Sequence, residues 1–238
     1  MDTSLELWRR AAAEGIAAFA LVFAGCGAIV ADSVYDGALG AVGISLVFGL
    51  IVMVMVYATG HLSGAHINPA VTLAFTLTRH FPARDAAAYV AAQAAGATIA
   101  ALALLAVWPD QPASLGATLP SVGSGSALAY EFVLTAILMF VITAVATDTR
   151  AVGAGAAIAI GGAVGLDALF GGPVTGASMN PARSLGPALA AGELHDLWIY
   201  FAGPLAGAPL GALAYQLVRG PDASPPTPEI SPSSPSRA

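Results

Sequence analysis

Ser63-Gly64-Ala65-His66-Ile67-Asn68-Pro69-Ala70-Val71-Thr72 and Thr175-Gly176-Ala177-Ser178-Met179-Asn180-Pro181-Ala182-Arg183-Ser184 are two versions of one decapeptide. In each, Asn stands before Pro. Asn is a favoured helix cap, and Pro is well placed in the first helical turn, where its missing N–H has no intrahelical partner anyway. Each Asn-Pro-Ala therefore predicts the start of a helix. The apolar run that follows each is only about ten residues, too short to cross a bilayer. Each predicted half-helix is preceded by a glycine-containing stretch, 61–67 or 171–179, read as irregular backbone. Such backbone survives at membrane depth only when it lines a cavity or is buried in protein.

Working outward from these motifs, long apolar runs cover Ala11–Ala31, Ala38–Thr59, Ala86–Trp108, Ala127–Thr147, Val152–Phe170 and Leu197–Val218. They predict six spanning helices, since open strands would leave edge groups unpaired in lipid. The halves repeat. Glu14 and Glu131 each precede an Asn-Pro-Ala by about 50 residues, and Gln93-Ala94-Ala95-Gly96-Ala97 parallels Pro204-Leu205-Ala206-Gly207-Ala208. Three spans per half is an odd number, so the halves are inverted, and interrupted segments in inverted halves point to a site near the midplane. The expectation is an all-α membrane protein of six transmembrane helices plus two opposed half-helices. One transmembrane domain is read over 1–220, with repeats at about 8–108 and 125–219. The Pro/Ser-rich tail 221–238 is read as disordered.

Composition agrees. The 238 residues are 57% hydrophobic and 9% charged, with mean hydropathy +0.79, against about 25% charged in soluble domains. The net charge of -6 is spread thinly and gives no surface for nucleic acid. Cys26 is alone, which excludes an internal disulfide, and no cleavable signal peptide is evident. With the N-terminus inside, Arg9, Arg10, Arg79, Arg84, Arg150 and Arg219 are cytoplasmic, while Asp32, Asp36, Asp110, Glu193 and Asp196 face outward, as the positive-inside rule requires. That orientation puts both termini in the cytoplasm, and the expected location is the plasma membrane. It also isolates Arg183 within the second half-helix. Glycine and alanine rows (Gly203, Gly207, Gly211; Ala88, Ala92, Gly96) read as close helix packing.

The paired Asn-Pro-Ala loops, in inverted three-span halves with Arg after the second only, resemble the signature loops of the aquaporins, the major intrinsic proteins, and among them a prokaryotic aquaporin. The resemblance covers about residues 8–219. It implies a right-handed bundle of six helices and two half-helices, a homotetramer with one pore per subunit, and passage of water, with small neutral solutes as further candidates. It implies pore-lining carbonyls from Gly64, Ala65 and His66 on one side and Gly176, Ala177 and Ser178 on the other. Glu14 and Glu131 are implied to brace the loops. The constriction maps to Phe48, Ala168, Ala177 and Arg183. Water-specific members resemble one another in His at the second of these positions and usually a small polar residue at the third; this chain has alanine at both. Glycerol-type members show Asp after the filter arginine and a basic residue four positions later; this chain has Ser184 and Ala188, as water-type members do.

Elementary physics supports the pore reading. Two half-helices meeting N-terminus to N-terminus aim positive dipole ends at the pore centre, where a cation or proton is repelled. Asn68 and Asn180, flanked by Pro69, Ala70, Pro181 and Ala182, offer amide donors to a passing water, and its hydrogens turn to the carbonyls on either side. Alternatives remain. The asparagines serve as caps in any case. Arg183 could be a buried charge paired with an acid, although an intramembrane arginine is a functional candidate by default. Glu14 and Glu131 could relay protons in a coupled transporter. His66 reads as a loop brace, and Asp167 either approaches Arg183 or faces a neighbouring helix. An anion channel has only Arg183 in its favour. A glycerol, ammonia or metalloid facilitator fits the widened filter. No metal-ligand cluster or nucleophile–base pair appears in the spans, so neither an enzyme, a metal nor a cofactor is expected.

Overall fold

The computed structural model describes residues 6–148, 150–151 and 153–220, and the tail 221–238 lies outside them. Six helices are long and apolar enough to cross a membrane: α1 Leu7–Val34, α2 Gly40–Ser63, α4 Ala83–Val107, α5 Ser124–Thr147, α6 Ala156–Thr175 and α8 Ile199–Arg219. The two half-helices are α3 Pro69–Leu77 and α7 Pro181–Ala191, with Pro at the first turn of each. No strand occurs among the described residues. The chain is a multi-pass membrane protein.

The spans run further than the apolar runs suggest, because helices continue into polar caps. The irregular stretches shrink in consequence. Residues 171–175 belong to α6 despite Gly171, Gly172 and Pro173, and α2 runs on through His61 to Ser63. Both helices stop at a glycine in the left-handed region, Gly64 (φ 89°) and Gly176 (φ 84°), whose N–H bonds back to Gly60 O and Gly172 O. Only glycine takes that conformation at little cost. The stop signal is therefore one residue, not a glycine-rich run.

The halves interlock. The largest helix–helix interfaces are α1 with α4, α5 with α8, and α2 with α6. Each half-helix packs on the last helix of the opposite half: α3 on α8 and α7 on α4. Gly96 permits the α1–α4 contact, since a Cβ there would strike Gly15 O. Gly207 permits α5–α8 in the same way, facing Phe132 O. Close backbone approach of this kind is how helices associate in lipid, where no hydrophobic drive joins them. The outer surface carries exposed Leu46, Leu50, Ile158, Leu166, Leu213 and Leu217. That surface suits hydrocarbon and would be a liability in water.

Two connections outside the spans are fixed by polar contacts. After α5, Asp148 accepts from Arg150 Nε (2.9 Å) and Nη2 (2.6 Å) and from Tyr215 Oη (2.7 Å), tying α5 to the end of α8. Hydrogen bonds from Arg150 first, then Tyr215, hold its carboxyl below the usual carboxylate range. Between α4 and α5, Gln111, Ala113, Ser114 and Leu115 all have positive φ, between 46° and 53°. This left-handed turn has no signature in residue type. It carries Leu115 into the core, fully buried, and delivers Gly116 to the site.

Candidate functional site

Two stretches of irregular backbone, 64–68 and 176–180, meet at the centre of the bundle and are built alike. In the first, Glu14 Oε1 accepts from Ser63 Oγ (2.7 Å) and His66 N (2.9 Å), and Oε2 accepts from Ile67 N (2.6 Å) and Gln93 Nε2 (2.8 Å). In the second, Glu131 Oε1 accepts from Thr175 Oγ1 (2.7 Å) and Ser178 N (2.9 Å), and Oε2 from Met179 N (2.8 Å). Both glutamates are fully buried. Tyr89 Oη donates to Ser63 O (2.8 Å) and Tyr200 Oη to Thr175 O (2.6 Å). Buried backbone N–H groups need partners, and here each loop takes two of them from one carboxylate. Each loop also holds non-glycine residues at positive φ: Ala65 and Ile67, Ala177 and Met179. Such strain persists only when the surroundings over-determine it.

The asparagines do more than cap. Asn68 Oδ1 accepts from Ala70 N (2.8 Å), and Asn180 Oδ1 from Ala182 N (3.0 Å) and Arg183 N (3.3 Å). Asn68 Nδ2 donates to Met179 O (2.7 Å), and Asn180 Nδ2 to Ile67 O (2.9 Å). One N–H of each amide thus locks the opposite loop, leaving the second for another acceptor. The sequence reading, with amides simply free to reach inward, misses this reciprocal link.

A narrow cavity of about 70 Å³ runs past both loops. Gly64, Ala65, His66, Asn68, Ala177, Ser178, Asn180, Arg183, Phe48 and Ala168 all line it, with Ile67 and Met179, which the sequence reading omits. A second cavity of about 390 Å³ lies against Gly176 and the loop residues Ala117 and Leu119. Phe48, Ala168 and Ala177 border both cavities. Pro69, Ala70, Pro181 and Ala182 do not border the narrow cavity; they are buried in the first turns of α3 and α7.

Arg183 is 2% exposed. Its Nη1 donates to Gly116 O (2.8 Å), and its guanidinium carbon stands 5.1 Å from the Phe48 ring centroid. Gly116 O also accepts from Cys26 Sγ (3.6 Å). Arg183 forms no ion pair with Asp167 among the described residues, and Asp167 is wholly buried.

His66 lies among Phe75, Phe81 and Tyr89, at centroid distances of 5.1, 4.8 and 5.3 Å. Its Nδ1 is 3.1 Å from Thr72 Oγ1. Thr72 commits its one hydrogen to Asn68 O (3.1 Å) and also accepts from Gln93 Nε2 (3.1 Å). His66 is therefore assigned as the Nδ1–H tautomer, which suits a brace. Ser63, Thr175, Tyr89, Tyr200, Thr72 and Ser184 were missed from sequence. The signal that finds them is the repeat itself: Ser63 and Thr175 stand five residues before their asparagines, and Thr72 and Ser184 four after.

The comparisons with known proteins agree with this architecture. The family model described as Major intrinsic protein matches residues 1–215. The chain is 48% identical over 216 residues to "Aquaporin NIP1-1" of Oryza sativa subsp. japonica, covering 91% of this chain and 76% of that protein. It is 45% identical over 216 residues to "Nodulin-26" of Glycine max, covering 91% and 80%. These relatives are plant proteins, not the prokaryotic aquaporin that the motifs suggest; the paired loops mark the family and carry no sign of lineage. In fold, the chain is similar to the solved aquaglyceroporin from Plasmodium falciparum, with TM-score 0.75 and 24% identity, covering 90% of this chain and 96% of that one. Two buried glutamates bracing two crossed Asn-Pro-Ala loops, together with a family match along nearly all of the chain, give one conclusion: the chain belongs to the major intrinsic protein family of membrane channels.

Proposed function

We propose that this protein is a passive channel for water that also admits a slightly larger neutral solute, and that it turns back protons and ions. The observation that carries the solute reading is the ring where the two cavities meet: Phe48 and Arg183 are retained, with alanine at both remaining positions, Ala168 and Ala177. Arg183 offers donors to a hydroxyl or carbonyl oxygen, Phe48 an apolar wall, and the alanines leave width. Pore size, lining hydrogen bonds and electrostatics together set selectivity. The aquaporin names of the relatives support water as the common cargo.

The paired asparagines form the ion barrier in this reading. Two half-helix N-termini face the same point, and each asparagine keeps a second N–H for the water oxygen. Carbonyls of Gly64, Ala65 and His66 and of Gly176, Ala177 and Ser178 take its hydrogens. Glu14 and Glu131 act as loop supports; their lone pairs already serve buried donors, which argues against a proton relay. We further read residues 1–220 as one channel domain, working as a homotetramer in the plasma membrane with both termini cytoplasmic.

Purified full-length protein in liposomes should speed osmotic water flow without any ion gradient, and should pass at least one of glycerol, ammonia or a neutral metalloid acid. Ala168→His should narrow the ring and cut solute flux by up to about tenfold relative to water, the size of one hydrogen bond. A strict requirement for a proton or sodium gradient overturns the channel reading. Passage of water alone, or one common factor for all fluxes in Ala168→His, overturns the role of Ala168.

A further inference from the structure

Gly25 of α1 is buried, and it lines neither cavity. Leu21, four residues before it, lines the narrow cavity, and Ile29, four after, lines the second. Residues four apart share a helix face, so Gly25 stands at the level where the two cavities meet. The Phe48 ring fills the place of the missing side chain. A Cβ on Gly25 would overlap Phe48 Cδ1, Cε1 and Cζ, three successive atoms of one ring edge. The Arg183 guanidinium carbon stands 5.1 Å from the centroid of the same ring.

Neither helix has room to retreat. Next to Phe48, a Cβ on Gly49 would come within 2.7 Å of Gly161 O, so α2 is already closed against the backbone of α6. Next to Gly25, Cys26 is closed against Gly116, where a Cβ would come within 2.7 Å of the Cys26 Cβ. Gly116 O takes both the Cys26 thiol (3.6 Å) and Arg183 Nη1 (2.8 Å), so a shift of α1 would reach the arginine as well. A phenyl ring has no flexible end to fold away, and a packed interior answers one extra methyl by displacing side chains. The space open to a displaced Phe48 ring is the pair of cavities it borders.

The second half solves the same place differently. Gly25 follows Glu14 by eleven residues, as Ile142 follows Glu131; Phe48 precedes Asn68 by twenty, as Ile160 precedes Asn180. Ile142 and Ile160 both line the narrow cavity. Two middle-sized side chains there correspond to one large ring and no side chain here. Glycine weakens a helix interior, and what the exchange gains is a seat for the ring.

We infer that Gly25 is a positioning residue for the filter: its missing side chain seats Phe48 back against α1 and so sets how large a neutral solute the ring admits. The inference rests on the solute-admitting channel proposed above.

The test is stopped-flow flux of water, glycerol, ammonia and boric acid through full-length protein in liposomes, for the parent, Gly25→Ala, Phe48→Leu and the pair. Gly25→Ala should lower the ratio of solute to water flux by roughly three- to tenfold. In the pair, the ratio should equal that of Phe48→Leu alone, because the methyl acts only through the ring. Gly27→Ala, whose Cβ meets Leu104 Cδ2 at an ordinary 3.4 Å, should leave the ratio as in the parent. A purely structural glycine would instead lower all fluxes by one factor. That result, an unchanged ratio in Gly25→Ala, or an equal fall in the Phe48→Leu background overturns the inference. If Gly25→Ala does not fold, the pair decides: it should fold and match Phe48→Leu, and failure of either overturns the role of Gly25. A parent that passes water and no solute overturns the solute reading, and Gly25 is then judged on water flux, which should fall in Gly25→Ala and recover in the pair. A parent that passes nothing overturns the channel reading and this inference with it.

Discussion

The two Asn-Pro-Ala loops share one hydrogen-bonded skeleton and differ in what stands behind it. The first loop is closed by its own half. His66 sits in a box of Phe75, Phe81 and Tyr89, and Gln93 spans Glu14 and Thr72. The second loop has Pro204 where the first half has Gln93, so Glu131 has no fourth donor among the described residues. Its support comes from elsewhere. Thr118 Oγ1 is 2.8 Å from Ser184 Oγ, which is 2.6 Å from Ser178 Oγ, and Ser178 donates to Asn180 O (2.9 Å). With that last donor fixed, the hydroxyl chain has one direction, from Thr118 to Asn180. Both Thr118 and Gly116 belong to the segment between α4 and α5. Beyond the reciprocal asparagine lock, the first loop therefore takes its braces from its own half, while the second loop and its arginine lean on a connection outside the repeat. What is duplicated braces both loops; what is not duplicated holds Arg183 through Gly116 O.

The largest effect should come from removing the shared acceptors. Glu14→Ala strands four buried donors and Glu131→Ala three. Each stranded donor costs about 1–3 kcal/mol, and a fold has a margin of about 5–15 kcal/mol. Both variants should lose most folded protein in detergent by thermal melting and size exclusion, Glu14→Ala at least as severely. A milder outcome for Glu14→Ala would break the ranking of the two halves.

Next come the reciprocal locks. Asn68→Asp and Asn180→Asp each lose a donor to the opposite loop, exchanging Nδ2–H···O=C for two facing acceptors. Each should cost about 1–3 kcal/mol and raise proton or cation leak in liposomes by placing negative charge at the dipole focus. Similar leak in the two variants sharpens the symmetry. Unchanged leak in both, with folding intact, removes the barrier role.

The smallest effects should separate the unduplicated braces. Gln93→Leu should lower stability by about 1–2 kcal/mol and leave the ratio of solute to water flux alone, because the first loop does not hold Arg183. Thr118→Val should cost only about 0.5–1.5 kcal/mol yet change that ratio. Melting temperature and paired flux measurements distinguish them. A selectivity change in Gln93→Leu and none in Thr118→Val would reverse the assignment.

Much of this was legible in the chain. Asn68-Pro69 and Asn180-Pro181 announce half-helices through local chemistry, since capping and the proline first turn depend on neighbours within three residues. The six apolar runs locate the spans, because their period and length are themselves sequence properties. The spacing of Glu14 and Glu131 from the motifs marks them as a pair. Their ends were less legible: Gly171, Gly172 and Pro173 look like loop and are helix, because lipid leaves no cheaper place for their backbone groups. The left-handed turn at 111–115 had no signal at all; alanine, serine and leucine do not ask for positive φ, and the packing of buried Leu115 accompanies it.

The sequence by itself determined that the protein is a membrane bundle of two inverted halves, where its chain must break, and that Arg183 stands apart from the other arginines, inside the second half-helix. Those are matters of residue type, spacing and length. The tertiary structure alone decided which carbonyl each asparagine holds, 111 and 113 residues away in sequence, that Gly116 receives Arg183, and that Asp167 is buried with no hydrogen-bond partner among the described residues. A side chain carries its donors and acceptors wherever it goes, but only the folded backbone fixes which of them come within 3 Å of one another.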